Sequence, residues 1–135
     1  MNNTRFATSM HIMVLLALQK GELVSSEYIS GSININPAII RKELSNLKAM
    51  GLVASKEGKN GGCTLAKSEK EILLSDIYNA VRQPSLLGKF NDTNQKCPVG
   101  NQINKHLDTI YNEAEEGLIQ KLKGISLASF CKQFD

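Results

Sequence analysis

Tryptophan is absent from this chain of 135 residues, which holds only two histidines and three cysteines. An odd number of cysteines without a closely spaced pair does not make a disulfide framework, so we expect a cytoplasmic protein in a reducing environment. So few His and Cys residues also leave no metal-binding motif. Since the chain shows no Ser-His-Asp arrangement, paired carboxylates or phosphate-binding loop, we predict that it is not an enzyme.

Long apolar runs are missing as well. The apolar stretch at residues 12–18 is too short to span a bilayer, and it lacks the charged segment and cleavage site of a signal peptide. We therefore expect no membrane partner. A chain of 135 residues buries roughly two-thirds of its unfolded surface, so one domain, with or without a helical arm, needs no disulfide or metal for stability.

Acidic residues are slightly fewer than basic ones, and the imbalance lies in the first half of the chain. The net charge is +3, but residues 1–67 carry +4 and residues 68–135 carry −1. An excess of positive charge in one half of a chain is expected if that half faces phosphates.

Residues 36–51 carry clear helix signals. Asn36 is a good N-cap, Pro37 suits the first helical position, and Gly51 suits the end of a helix. One face of this helix is apolar at helical spacing and consists of Ile40, Leu44 and Leu47. The rest of its surface carries small, polar and cationic side chains, namely Ala38, Arg41, Lys42, Ser45 and Lys48. Such a surface suits the major groove of DNA, where cations and hydroxyls contact bases and phosphates. We expect Asn36, at the start of the helix, to contact DNA as well.

A β-hairpin follows this helix. Residues 52–56 and 63–67 read as short strands, and residues 57–62 as a turn in which the Asn60-Gly61 pair tolerates positive φ. The tip formed by Lys59, Asn60 and Gly61 is slim and rich in donors, which suits the minor groove or phosphates. A recognition helix followed by a hairpin predicts a winged helix-turn-helix.

Two helices are predicted before the recognition helix. The first, residues 5–19, starts after a Thr4 cap and is apolar nearly all round, so we expect it to be buried, in part by a second subunit. Phosphate contacts are expected at its start from Asn2, Asn3, Thr4 and Arg5. Ser25 caps the second, which runs to about Gly31 and presents Ser26 to DNA. His11 is interpreted as a core or boundary histidine and not as a metal ligand.

The second half predicts a head-and-arm organisation. Ser75 is expected to cap a helix at residues 76–82, and residues 83–97 form a polar loop. A long helix over 98–123 carries an apolar stripe at Ile103, Leu107, Ile110, Ala114, Leu118 and Leu122. A stripe of this length usually packs against its twin in a homodimer, although it can also fold back on its own domain. A last helix covers 127–134, and the domains are 1–82, 83–97 and 98–135.

Residues 36–67 resemble the Rrf2-type family of winged helix-turn-helix regulators, bacterial proteins that include IscR, NsrR and CymR. The resemblance rests on Leu-Lys-Ala-Met-Gly-Leu-Val-Ala-Ser at 47–55, on Gly-Lys-Asn-Gly-Gly at 58–62, and on residues 72–82, which look like the family's next helix. It implies a mainly α fold with a small β-hairpin. It also implies a homodimeric transcription regulator, usually a repressor, with the long C-terminal helix as the dimer arm.

The chain departs from the family pattern in two places. Cys63 stands where the family commonly has an aromatic residue. Iron–sulfur members place three cysteines in the loop before the dimer helix, whereas this loop contains only Cys97. Since a cluster takes three or four protein ligands, we expect no iron–sulfur cofactor.

Cys97 is the candidate regulatory residue. The sequence places it beside Lys96 at the N-cap of the long helix, where a thiolate is stabilised and easily oxidised. Cys-Pro-Val-Gly at 97–100 also looks like cluster-free family members that respond to oxidants or electrophiles. Oxidised Cys97 could pair with a second Cys97, with Cys63 or with Cys131, although the latter two are expected to be core residues. An ordinary loop thiol is the alternative.

The sequence thus predicts a dimeric regulator that binds a pseudo-palindromic operator in double-stranded DNA. The effector is an oxidant acting on Cys97, or else a small metabolite or a protein partner. A winged helix used only for protein interaction is a third interpretation.

Overall fold

The structure, a computed structural model, describes residues 3–134. The predicted phosphate contact of Asn2 therefore lies outside the described residues. The elements are, in chain order, α1 (Arg5–Leu18), α2 (Ser26–Ile33), α3 (Pro37–Ala49), β1 (Val53–Lys56), β2 (Gly62–Leu65), α4 (Leu74–Val81), α5 (Ile103–Lys123) and α6 (Leu127–Cys131), with a 3-10 turn over Lys132–Phe134. None of the helices in this range is long and apolar enough to cross a bilayer.

Helix α1 is the centre of the hydrophobic core. Ile12, Met13 and Leu16 are almost completely buried, and α2, α3, α4, α6 and β2 pack around the helix. Burial of side chains of this size contributes roughly 1.5–3 kcal/mol each, so α1 is the main apolar contributor to the fold. The prediction that the first helix is buried on most sides is confirmed.

Local capping residues define the ends of the helices in the helix-turn-helix. Ser25 Oγ accepts a hydrogen bond of 3.1 Å from the N–H of Tyr28 and starts α2. Helix α2 runs two residues beyond the predicted end at Gly31, because Asn34 ends it instead, in the left-handed region at φ 65°. Asn36 Oδ1 accepts from the N–H of Ala38 at 2.8 Å, as predicted for the start of α3.

The hairpin is shorter than predicted but lies where it was expected. Strands β1 and β2 are antiparallel, with Val53 opposite Leu65 and Lys56 opposite Gly62. A β-bridge between Val24 and Cys63 adds a third short edge and anchors the hairpin to the segment before α2. Both strands were predicted one or two residues too long at the end away from the turn. Residues 52, 66 and 67 lie outside the ladder.

The start of α4 corrects a predicted cap. Ser75 was expected at the N-cap, but it lies inside the helix and is buried. The N-cap is Leu73, whose N–H donates to Asp76 Oδ2 at 2.9 Å. The reason is a distant contact: a β-bridge pairs Leu73 with Ser126 and keeps the chain extended up to that residue.

Helix α5 packs along α4 and leaves much of its surface exposed. Arg82 Nε lies 3.1 Å from Glu115 Oε1, and the rings of Phe90 and Tyr111 lie 5.0 Å apart. Within the predicted apolar stripe, Leu107, Ala114 and Leu118 are half-buried, whereas Ile103 and Ile110 are 38% and 55% exposed. Helix α6 then returns to α1 and buries Leu127 completely, in agreement with the predicted last helix.

Candidate nucleic-acid interface

A groove lies between α3 and the hairpin. Its volume is about 280 Å³, and its lining is mostly cationic and hydroxyl-bearing, from Ser26, Arg41, Ser45, Lys48, Ser55 and Lys56, with Leu44, Glu57, Gly62 and Cys63 completing it. Three cations and three hydroxyls around one open groove form a surface that favours anionic oxygens. Ser55 and Lys56 were not predicted as site residues. The sequence feature that could have indicated them is their position at the end of the first strand of the hairpin.

The outer face of α3 is exposed as predicted. Ala38, Arg41, Lys42, Ser45 and Lys48 are all exposed, while Ile40, Leu44 and Leu47 are buried on the opposite side. Sequence analysis overlooked Ile39, which is 52% exposed near the front of the helix. An exposed apolar side chain at this place suits contact with the methyl group of a thymine. The oxygen of Asn36 is used in capping, so Asn36 can offer only its amide N–H groups to DNA.

The wing is fixed to α3 by a hydrogen bond. Lys48 Nζ donates to Ser55 Oγ at 2.7 Å, so the end of the recognition helix and the first wing strand are held together. Lys59 and Asn60 are exposed at the tip, and Asn60 adopts φ 71° as the turn requires. Gly61 does not have positive φ, but a Cβ there would lie 2.2 Å from the carbonyl oxygen of Lys56. The turn therefore requires glycine for space at this position.

The start of α1 is capped differently from the prediction. Thr4 is the N-cap residue and is exposed, but its side chain makes no capping hydrogen bond; Asn3 Oδ1 accepts from the N–H of Arg5 at 2.9 Å instead. The guanidinium of Arg5 is directed to the carboxylate of Glu43 on α3, with Nη2 3.0 Å from Oε1. Arg5 is therefore not a free cation beside the groove. Glu43 was missed, although its spacing from Ile40 and Leu47 placed a carboxylate on the apolar face.

The surroundings of Cys97 correct another prediction. The long helix was expected to start at residue 98 with Cys97 at its N-cap, but α5 starts at Ile103 and its N-cap is Gln102. Residues 95–102 form consecutive turns, because side chains bind carbonyls that a helix would use. Gln102 Nε2 donates to the carbonyl of Pro98 at 2.9 Å, and Thr93 Oγ1 donates to that of Gly100.

This turn nevertheless favours a thiolate. The backbone N–H groups of Gly100 and Val99 are directed at the sulfur and hold the pKa of Cys97 below its ordinary value. The lowered pKa agrees with the expectation from sequence, but its cause is a turn and not a helix N-terminus. Burial raises the pKa of Cys63, with Lys48 opposing the shift, and Cys131 is buried in α6, so both lie in the core as predicted.

His11 lies at the boundary of the core, as predicted. Its Nε2 is 2.9 Å from Ser32 Oγ on α2. In the range 3–134, no three His, Cys, Asp or Glu side chains come together in a group able to hold a metal ion.

A helix-turn-helix followed by a hairpin wing, with cations and hydroxyls in the groove between them, defines a winged helix-turn-helix protein that binds DNA. The family model of Rrf2, described as iron-dependent transcriptional regulators, matches residues 2–133. The chain belongs to the Rrf2 family. It is a transcriptional regulator that binds DNA, and it is not an enzyme.

Known proteins agree with this assignment. The chain is 34% identical over 128 residues to YwnA of Bacillus subtilis (strain 168), a candidate HTH-type transcriptional regulator, with 94% of each chain covered. The crystal structure of a candidate DNA-binding protein superposes on this chain with a TM-score of 0.75 at 31% identity. The match covers 93% of this chain and 97% of that protein. A candidate transcriptional regulator from Lactobacillus plantarum shares the fold with a TM-score of 0.83 at 21% identity, covering 97% and 89%.

The family description raises the question of iron. A cluster would need several thiolate or imidazole ligands close together, but Cys97 is the only cysteine of the 83–102 segment, and Cys63 and Cys131 are buried in other elements. The donor set of the described residues therefore does not fit an iron–sulfur cluster.

Proposed function

We propose that this chain is a homodimeric repressor that binds a pseudo-palindromic operator and is regulated without an iron–sulfur cluster, through the thiol of Cys97. The observation that carries the DNA-binding part is the groove between α3 and the hairpin, with Arg41, Lys48 and Lys56 along it. A repressor of this kind blocks transcription by occupying the operator.

The groove suggests how the contacts divide. Arg41, Lys42 and Ser45 enter the major groove from the exposed face of α3 and read base edges, with Ile39 against a thymine methyl group. Lys48 and Lys56 also line the groove and bind a backbone phosphate, which fixes register and carries no sequence information.

The remaining predicted contacts lie outside the groove. Lys59, Asn60 and Gly61 of the wing tip contact the minor groove or the backbone, and Thr4 lies where the start of α1 meets a phosphate.

The dimer is supported by α5. An operator with two half-sites is matched by two copies of the protein related by a two-fold axis. Helix α5 has 21 residues and none of them is buried, and Ile103 and Ile110 expose apolar surface one heptad apart. The predicted interface residues Ile103, Leu107, Ile110, Ala114 and Leu118 would bury that surface between two copies.

The thiol switch has a balanced chemistry. The Cys97 thiolate attacks one oxygen of a hydroperoxide, so that an S–O bond forms and the O–O bond breaks. The sulfur loses two electrons and becomes a sulfenic acid, and the peroxide is reduced to an alcohol or water. A second thiol then displaces water and forms a disulfide. A second Cys97 or a low-molecular-weight thiol is the favoured partner, since Cys63 and Cys131 are buried.

The loop position explains how oxidation would change DNA binding. Cys97 lies in the segment that joins α4 of the DNA-binding head to α5. A disulfide between the two copies at this place would reorient the heads and change the distance between the two recognition helices, which must match the half-site spacing.

A second candidate is control by a small apolar metabolite. A pocket of about 590 Å³ lies against α1 and is lined by apolar side chains, mainly Phe6, Met10, Val14, Leu122, Phe130 and Phe134. A pocket of this size and lining is typical of ligand sites. Its lining comes from α1, α4, α5 and the C-terminal segment, none of which lines the DNA-facing groove, so its occupant would act through α1 and α6.

The test is a DNA-binding titration on the upstream region of the protein's own gene, before and after a mild hydroperoxide, with Cys97→Ser alongside. We expect oxidation to abolish binding by the wild type, reductant to restore it, and the Ser variant to be indifferent. Lys42→Met is the control for DNA contact and should bind more weakly than the wild type before oxidation. Tight binding that ignores the oxidant would exclude the switch and favour the metabolite pocket.

A further inference from the structure

Glu43 is a feature of the recognition helix that direct contact with DNA does not explain. Its side chain is 4% exposed, and among residues 3–134 it is the one charged residue that is buried. A buried carboxylate is costly unless it is paired and hydrogen-bonded. It lies on the inner side of α3, among Ile40, Leu44 and Leu47, where an apolar residue would pack without that cost.

The partner of Glu43 binds it through a planar fork. Arg5 Nε lies 3.2 Å and 3.1 Å from the two carboxylate oxygens, and Arg5 Nη2 lies 3.0 Å from Oε1. Ser9, one turn further along α1, adds a longer contact of 3.5 Å from its Oγ to Oε2. Because a bidentate guanidinium–carboxylate pair requires a defined relative orientation, this contact fixes how α1 and α3 face each other.

A second directional contact lies on the same side of α3. Asn46, three residues after Glu43, donates from Nδ2 to the carbonyl of Ala80 on α4 at 2.9 Å. Apolar packing alone is non-directional and allows a helix to rotate by small amounts. The hydrogen bonds that Glu43 accepts from α1 and the one that Asn46 donates to α4 oppose that rotation.

The rotation of α3 decides which side chains enter the DNA. At about 100° per residue, Arg41 and Ser45 lie on the side of α3 roughly opposite Glu43. We propose that the Arg5–Glu43 pair is a positioning device that sets the rotation of the recognition helix, so that Arg5 governs sequence discrimination through Glu43 and not by contacting DNA. This inference rests on DNA binding by α3. Arg5 remains 43% exposed, so phosphate contact is the competing role.

The two roles are separated by the double variant Arg5→Met/Glu43→Met, which replaces the pair by apolar side chains of similar length. The probe is a duplex that the wild type selects from a random pool, compared with a scrambled duplex of the same composition. Affinity for both is measured over a range of salt concentrations, and thermal unfolding is recorded. Selection by the wild type tests DNA binding itself, and the difference between variants tests the pair.

We expect the double variant to unfold no earlier than the wild type, because replacing a buried ion pair by apolar residues is often neutral or stabilising. Its preference for the selected duplex should fall about tenfold, which is the effect of misplacing one base-reading side chain. The slope of log K against log salt should not change. Lys56→Met, which removes a cation assigned to a backbone phosphate, is the matched control, and the magnitude of its slope should fall by about 0.9.

Two results would overturn the proposal. A fall of about 0.9 in the slope of the double variant would make Arg5 a phosphate contact. An unchanged preference for the selected duplex would reduce the pair to a purely structural role. Arg5→Lys supplies an independent measurement, since lysine keeps the charge but not the fork. Its slope should equal that of the wild type while its preference lies between those of the wild type and the double variant.

Discussion

Removing Arg5 alone tests how strongly the buried carboxylate of Glu43 depends on its partner. Arg5→Met keeps an apolar stem but removes the guanidinium, which leaves Glu43 with Ser9 Oγ at 3.5 Å as a remaining polar neighbour. Removing one partner of a buried ion pair costs about 3–5 kcal/mol. Because the Arg5 side chain is 43% exposed, water can enter the vacated space, and we expect a loss of about 2–3 kcal/mol in the free energy of unfolding.

The assay is equilibrium unfolding in urea, followed by helical circular dichroism. A loss of this size is a large share of a domain's total of about 5–15 kcal/mol, so the midpoint should fall clearly while the slope stays constant. The double variant with Glu43→Met should return to within about 1 kcal/mol of the wild type. Lys20→Met, which breaks the 3.0 Å surface pair with Glu69, is the matched control and should cost at most about 1 kcal/mol. If Arg5→Met cost no more than Lys20→Met, the reasoning about Glu43 would be refuted.

Three further predictions concern the arm, the loop and the wing. Ile110→Glu should convert a dimer into monomers without unfolding the head, as measured by sedimentation equilibrium. Thr109→Glu on the same helix should leave the dimer intact. Equal behaviour of the two variants would argue against pairing through α5. Because the pKa of Cys97 is lowered, its thiolate is populated at lower pH than that of an ordinary thiol. Alkylation by iodoacetamide near neutral pH should therefore be faster at Cys97 than at Cys63, whose pKa is raised. Peptide mass spectrometry measures the two rates, and the reverse order would contradict the turn geometry. Gly61→Ala should displace the wing and weaken DNA binding about tenfold while thermal stability changes little, since a Cβ would meet Lys56 O at 2.2 Å; unchanged affinity would mean that the wing does not contact DNA.

The recognition helix was predictable because its signals are local. Asn36, Pro37 and Gly51 each act within a few residues of their own position, and the apolar spacing of the helix needs no knowledge of the rest of the fold. The hairpin was predictable for the same reason. Its strand ends were less accurate, since residues 52, 66 and 67 were predicted in strands and lie outside the ladder.

The errors lie where distant residues decide the local structure. The ion pair of Arg5 was not predicted, because its partner Glu43 is 38 residues away. Ser75 was predicted as a cap because the bridge between Leu73 and Ser126, which places the N-cap at Leu73, is not visible in the local sequence. The predicted helix start at residue 98 failed because Gln102 and Thr93 bind carbonyls that the first turn would have used. Such competition between side chain and backbone is decided by geometry that periodicity does not contain.

The return of the chain to its own beginning has a practical consequence. Helix α6 packs on α1, and the N–H of Leu127 donates to the carbonyl of Ile72 at 2.8 Å, so the last residues are built into the same head that reads DNA. Helix α5 is therefore anchored to the head at both ends, through α4 before it and α6 after it. Deleting α6 would uncover part of α1, and the Arg5–Glu43 pair would carry the disturbance from α1 to the recognition helix. We therefore expect loss of α6 to impair DNA recognition, although α6 is far from α3 in the sequence.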